Sequence, residues 1–344
     1  MKKSEGDVKL TFAMQADAGI SAVVRTPDGA PAAGARAIWV THSREATIRR
    51  ATITLMDHGE RLGATVITAD AAGRLRLPPE CDPGTIVLVH DRGYAEIRPA
   101  ELLASGVVTL RRWGRVEGRL LAGTKPVARQ TIWLQRPSAS ADPPTASWCN
   151  EMNTDTNGRF VCDRLVAGRL AFDRVFPTND GQCAVSGLTT AIEVREGQTT
   201  RVTFGGPGRT LVGRFEAPKD LRLPIDWTNA HVNFGPRAPH IGFPGDDAIW
   251  KVYQTFLNTE EGRAYHGSNL PVGRDGSFRI ESVPPGEYQL MITIDGPAVG
   301  KPADTRIDYA AGGVEIEVNP TVDGRGEEPQ SFGTITLQKI AGEK

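Results

Sequence analysis

The sequence has no apolar run of membrane-spanning length, no excess of charge of either sign, and few cysteines. A transmembrane helix needs about 20 consecutive apolar residues, and no stretch of the 344 approaches that. The formal net charge is −1, from 40 Lys and Arg against 41 Asp and Glu. Nucleic-acid binding rests on a basic face; here the basic residues are mostly Arg, interleaved with acids, and read as solvated strand faces. The four cysteines, Cys81, Cys149, Cys162 and Cys183, include no C-x-x-C pair, so neither a structural zinc site nor a thioredoxin-like motif is expected. H-E-x-x-H, G-x-S-x-G, a P-loop and G-x-G-x-x-G are also absent. Lysines are scarce and none sits centrally in a strand with an Asn partner, which argues against an internal Lys–Asn isopeptide crosslink. The first residues, Met1 to Asp7, are basic but no hydrophobic region follows, so they do not read as a signal peptide. The chain is then either cytoplasmic or a piece of a longer secreted or membrane-anchored polypeptide whose leader lies elsewhere.

What is present is punctuation: 38 Gly and 24 Pro among 39% hydrophobic residues. Apolar alternation of period two persists nearly throughout, between Gly/Pro turns. Many short strands at regular spacing describe sandwiches, not a parallel α/β sheet. The fold class is therefore all-β.

The clearest stretch is 274–291, RDGSFRIESVPPGEYQLM. Asp275-Gly276 is a turn dipeptide. Ser277-Phe278-Arg279-Ile280 alternates as a half-buried strand. Val283-Pro284-Pro285-Gly286 turns again, and a second strand follows from Glu287. The unit recurs in degenerate form at Asn157-Gly158-Arg159-Phe160 and at Ala72-Gly73-Arg74-Leu75, each time with a second Gly about ten residues on, a repeat signal. Upstream of the first two copies lies a strand, a Gly/Pro turn and a strand carrying a Trp, Trp39 or Trp133. Their recurrence at one place reads as packing in the core. Each copy is followed by a short closing strand, near 107–110, 200–204 and 333–337.

These repeats divide the chain into a lead or edge strand over 1–17 and three modules, 18–112, 113–206 and 207–344. That suits a length expected to hold two or three domains. A helical turn is expected at 99–104, with Pro at its start. The third module carries an insertion over about 240–265. Ile249, Val252, Tyr253, Phe256 and Leu257 have helical spacing, and Asp246 and Asp247 sit where the helix dipole favours acids.

The chain resembles the carboxypeptidase regulatory-like family, the transthyretin-like (prealbumin-like) β-sandwich that occurs in tandem in bacterial envelope proteins. Residues 24–36 and 116–128 match its opening, strand–Asp/Gly–Pro–Ala–Gly–Ala. Residues 73–87, 157–170 and 275–290 match its G-x-F-x-(I/L)…G-x-Y-x-L hairpin. The resemblance implies three Ig-like Greek-key sandwiches of about seven strands, without catalysis of their own and without a cofactor. It implies a spacer or interaction role in the periplasm, at the cell surface or outside the cell, with an unknown protein or glycan partner. The fold hosts many roles, so it carries no site residues over.

Candidate sites follow from residue types. Trp148, Trp227, Trp250 and Tyr253 do not recur and are the candidates for a sugar platform. His240 and His266, with His231, Asp246 and Asp247, surround the insertion and have the side chains of a metal or acid/base site, in a spacing that matches no known ligand set. That combination defines the alternative readings, a carbohydrate-binding protein or a metal-dependent hydrolase. Cys149 and Cys162 flank the 155–158 turn and read equally as a cross-strand disulfide or as buried free thiols.

Overall fold

The computed structural model describes residues 19–55, 65–80, 82–136, 143–177, 183–206, 208–221, 225–227, 230–237, 268–270, 272–297, 306–320 and 328–340. The expected lead strand, the Asp57-His58-Gly59 turn, Cys81 and the helical insertion lie outside them. The described residues are almost entirely β, and they divide between two compact units. One draws on 1–45, 55–111 and 142–145, the other on 46–54, 112–141 and 146–344.

The strands of the first third are β1 (Ile20–Arg25), β2 (Arg36–Thr41), β3 (Ala46–Arg49), β4 (Thr52–Leu55), β5 (Ile67–Thr68), β6 (Arg74–Leu77), β7 (Gly84–His90), β8 (Gly93–Ile97) and β9 (Val107–Thr109), with helix α1 (Pro99–Ser105) before the last. In the first unit one sheet runs β6-β1-β9 and the other β5-β2-β7-β8. They enclose a core that includes Ala22, Val24, Leu75, Leu77, Ile86 and Leu88. The run Ile86-Val87-Leu88-Val89 is buried on both faces of its sheet, which is why β7 reads as continuous apolar sequence and not as alternation. Helix α1 forms as expected. Pro99 opens it, and Gly106, at φ 62°, closes it with its N–H on the Leu102 carbonyl.

The second unit holds β10 (Gly114–Ala122), β11 (Lys125–Pro126), β12 (Thr131–Gln135), β13 (Ser147–Asn153), β14 (Arg159–Leu165), β15 (Gly168–Pro177), β16 (Cys183–Val194) and β17 (Thr199–Gly206). It continues with β18 (Arg209–Glu216), β19 (Ala230–Pro236), β20 (Ser268–Asn269), β21 (Ser277–Val283), β22 (Gly286–Pro297), β23 (Arg306–Val318), β24 (Gln330–Thr336) and β25 (Gln338–Lys339). The pairing of the first unit appears here twice more. The three-strand set β6-β1-β9 recurs as β14-β10-β17 and β21-β18-β24, each with its last strand parallel to the first. The four-strand set β5-β2-β7-β8 recurs as β13-β12-β15-β16 and β20-β19-β22-β23.

One glycine position explains why each repeat turns where it does. Gly73, Gly158 and Gly276 have φ of 74°, 71° and 82°, a region costly for residues with a Cβ. Each also lies against the neighbouring strand: an added Cβ would sit 2.5 Å from the carbonyl oxygen of Val24, Leu120 or Phe215. Their own carbonyls accept the N–H of the same three residues at 2.8, 2.8 and 2.9 Å. In the first two copies Asp70 and Asp155 brace the turn, each Oδ1 accepting two backbone N–H groups. In the third, Gly273 takes the Asp position, and Asp275 instead accepts from the Ser277 hydroxyl at 2.7 Å.

The residue two after that glycine packs against the first strand. Phe160 lies opposite Gly118 and Phe278 opposite Gly213, whereas in the first unit Leu75 lies opposite Ala22. Large meets absent, and medium meets small. Phe160 then joins Phe172 and Phe204, at 5.8 and 6.0 Å between ring centroids, in the core between the two sheets.

The hairpin of β3 and β4 departs from the order of the chain. Though it lies between β2 and β5 in sequence, it joins the second unit. β3 runs parallel to β13, Thr47 opposite Ser147 and Ile48 opposite Trp148, which extends that sheet to β16-β15-β12-β13-β3-β4. Arg50 N–H bonds Asn150 Oδ1 at 2.7 Å, and Arg50 Nη2 bonds the Glu151 carbonyl at 3.0 Å. Ala46 and Ile48 are buried. The open backbone groups of an edge strand supply the reason for this addition.

Candidate functional site

The aromatics singled out in the sequence are not a platform where the structure describes them. Trp148 is 2% exposed, edge-on to Trp113 at 6.0 Å, with the Arg136 guanidinium 5.6 Å from its ring. It is a core residue because the alternation of β13 turns Trp148, Asn150 and Met152 inward. Trp227 stacks on Phe215 at 6.3 Å, packed against the third core. It also covers the Asp275-Gly276 turn, its ring 3.2 Å from where a Gly276 Cβ would be. Trp250, Tyr253, His240 and His266 lie outside the described residues, as do Asp246 and Asp247. His231 is exposed and stands 3.5 Å from Asp295.

Cys149 and Cys162 are free thiols. The cross-strand disulfide does not form because the strands flanking the 155–158 turn do not pair with each other. Cys149 lies opposite Gln135 in one sheet and Cys162 opposite Val116 in the other. Burial pushes the Cys162 thiol up to about 12, Arg50 opposing, which leaves it unreactive.

The two recurring tryptophans differ. Trp39 packs against the first core. Trp133 does not occupy a core position. Its neighbours Ile132 and Leu134 are fully buried, and Leu134 lies opposite Phe172 of the aromatic core, so the alternation turns Trp133 to the opposite face. A one-residue shift of phase exchanges the two faces of a strand.

On that face Trp133 lies between Glu151 of β13 and Asp173 of β15. Its Nε1–H donates to Glu151 Oε2 at 2.9 Å. Asp173 is 2% exposed and its Oδ2 accepts from Gln135 Nε2 at 2.7 Å. Thr131 donates to Asn153 Oδ1 at 2.8 Å one step along. Cys149 borders the group; burial first, then Glu151 and Asp173, raise its pKa, while Arg49 lowers it. The result is a half-buried indole, fixed at its nitrogen and ringed by carboxylate, amide and hydroxyl groups. The sequence signal for it was the apolar pair Ile132 and Leu134 on either side of Trp133.

A second polar feature joins the second and third repeats. Arg174 Nη2 meets Glu281 Oε2 at 3.1 Å, with side chains 12% and 32% exposed. The Ser282 hydroxyl donates to the Leu121 carbonyl at 3.3 Å. Burial raises the Glu281 pKa, but the hydrogen bond and charge of Arg174, with Arg279, outweigh it and the net shift is down. Among the described residues no three His, Cys, Asp or Glu side chains are grouped to hold a metal ion.

No protein-family model matches the chain, and no curated protein matches it at a significant level. Solved structures resemble it distantly. A DUF3823 family protein from Bacteroides uniformis is 12% identical over 60% of this chain and 100% of its own, with a TM-score of 0.21. The minor pilin of Streptococcus agalactiae is 12% identical over 67% and 98%, with a TM-score of 0.24. The major pilin subunit of Bacillus cereus is 8% identical over 93% and 99%, with a TM-score of 0.20. At these scores the likeness carries no inference about function.

Proposed function

We propose that the chain is a non-catalytic array of three β-sandwich modules, at 18–112, 113–206 and 207–344, serving as a spacer and interaction region of a bacterial envelope or secreted protein. The observation that supports this is the threefold recurrence of one strand pairing on one glycine turn. A fold repeated with its structural residues intact serves extension and presentation. The Arg174–Glu281 contact and the Ser282–Leu121 bond support a firm joint between the second and third modules. The envelope location rests on the resemblance of residues 24–36, 116–128 and 275–290 to tandem envelope modules.

The joint is tested by electron–electron resonance between spin labels at Val161→Cys and Glu315→Cys, both exposed positions, with the native cysteines replaced by alanine. One narrow distance distribution is expected, broadened by Arg174→Ala. A broad distribution in the parent protein overturns the firm-spacer reading.

A further inference from the structure

We propose that the outer edge of β17 is a self-association surface, on which a second copy of this chain adds the same strand antiparallel about Val202. The pairing supplies a partner for the interaction role proposed above, and rests on that reading. The three repeats supply the comparison. Their closing strands β9, β17 and β24 each pair with the first strand of the repeat on one side, and among the described residues with no strand on the other. An open edge is a hazard that folds blunt by shortness, bulges, Lys or Pro. β9 is three residues long, and the chain beyond it is closed by Arg111, which exchanges both backbone bonds with Tyr94 at 2.7 and 3.0 Å. β24 is broken by a register shift between its partners Val212 and Arg214, with Gly333 at φ 63°. β17 has neither device. Its eight residues, TTRVTFGG, pair with β10 without a shift, and include no Lys or Pro.

The phase of the ladder decides which groups are open. The Arg115 N–H donates to the Gln198 carbonyl at 3.0 Å. Thr200, Val202 and Phe204 therefore bond to β10, and the N–H and C=O groups of Thr199, Arg201, Thr203 and Gly205 point away from it. All four of these residues are exposed. Strand addition draws its affinity from such groups and its selectivity from side-chain pockets. Here the exposed side chains are short or, in Arg201, held by Glu117 at 3.4 Å, so register alone selects the partner. A two-fold axis at Val202 satisfies that register with one surface on both copies. Arg201 then faces Thr203 of the second copy, each such pair exchanging both main-chain bonds, and Thr199 faces Gly205 at either end. No Arg lies directly opposite another, which an axis at Arg201 would force. The half-buried Val202 meets its own copy at the axis, a β-branched cross-strand pair.

The test is sedimentation velocity of the full chain from low micromolar to submillimolar concentration. A reversible monomer–dimer equilibrium is expected. Thr203→Pro removes an N–H that no bond to β10 uses, and should weaken the dimer tenfold or more. Thr203→Lys should weaken it several-fold by facing Arg201 of the second copy, and Thr203→Glu should tighten it several-fold through the same register. Thermal unfolding of each variant, close to that of the parent, separates loss of the edge from loss of the fold. With the native cysteines replaced by alanine, Val202→Cys should give a disulfide-linked dimer under mild oxidation, since the Cα atoms at the axis stand about 4.5 Å apart, and Thr199→Cys should not. A monomer at every concentration overturns the proposal, as does a dimer unchanged by Thr203→Pro and Thr203→Lys. A monomeric chain that binds an alternating Thr-Val peptide saturably, with the binding lost in Thr203→Pro, overturns the second copy in favour of a foreign strand. The two readings fail separately, since a monomer with one narrow label distance keeps the firm spacer and loses only this surface.

Discussion

Substituting Gly118 by alanine tests the large-against-absent packing of the second repeat. Gly118 has an ordinary extended backbone in β10, so the substitution strains no dihedral. The added Cβ would lie 2.2 Å from Cζ and 2.5 Å from Cε1 of Phe160. That ring is 4% exposed and stands beside Phe172 and Phe204, themselves stacked at 3.6 Å, so it has little room to retreat. Overpacking of this kind costs about 1–3 kcal/mol, offset by about 0.4–1 kcal/mol from the lower entropy of the unfolded chain. A net loss of about 1–2 kcal/mol follows. Phe160→Leu alone opens a cavity and should cost about 1–2 kcal/mol, less than truncation to alanine. The double variant rebuilds the Ala22–Leu75 pair of the first unit, so its loss should fall short of the sum by about 1 kcal/mol. Urea unfolding followed by circular dichroism, with separate transitions fitted if the two units melt apart, reads all four proteins. A tolerated Gly118→Ala, or strict additivity, refutes the packing argument.

Three further outcomes follow from the geometry. Gly158→Ala places a Cβ 2.5 Å from the Leu120 carbonyl at φ 71°, and should cost more than Gly123→Ala, which has φ 60° and open space; comparison of their unfolding midpoints checks this. The folded Glu281 pKa lies below its ordinary 4.5, so its contribution is complete above that value and is lost as pH falls through the lower folded value. Stability measured from about pH 6 down to pH 3 should therefore fall more steeply in the parent than in Arg174→Met. Cys162, with its thiol pushed up to about 12, should escape N-ethylmaleimide in the native protein at about pH 8 and react after unfolding, as read by peptide mass spectrometry.

Much of the fold was legible because turns are local. Asp155 to Gly158 and Gly276 announce their bends through side-chain caps and left-handed backbone, which need no distant partner. The helical turn at Pro99 was legible for the same reason. The face of a tryptophan was less so. Trp39 and Trp133 follow similar neighbours, yet one packs on a core and the other turns away, because phase is set by which strand pairs with which.

The sequence by itself determined that the chain is all-β and repetitive, since period-two alternation and glycine turns are written within a few residues of each other. Only the tertiary structure decided that Cys149 and Cys162 part into different sheets, that β3 leaves its neighbours for β13, and that Glu151, Trp133 and Asp173 meet on one face. Those outcomes depend on pairing between strands tens to a hundred residues apart. Such pairing is settled by the burial of whole faces, which no local pattern records.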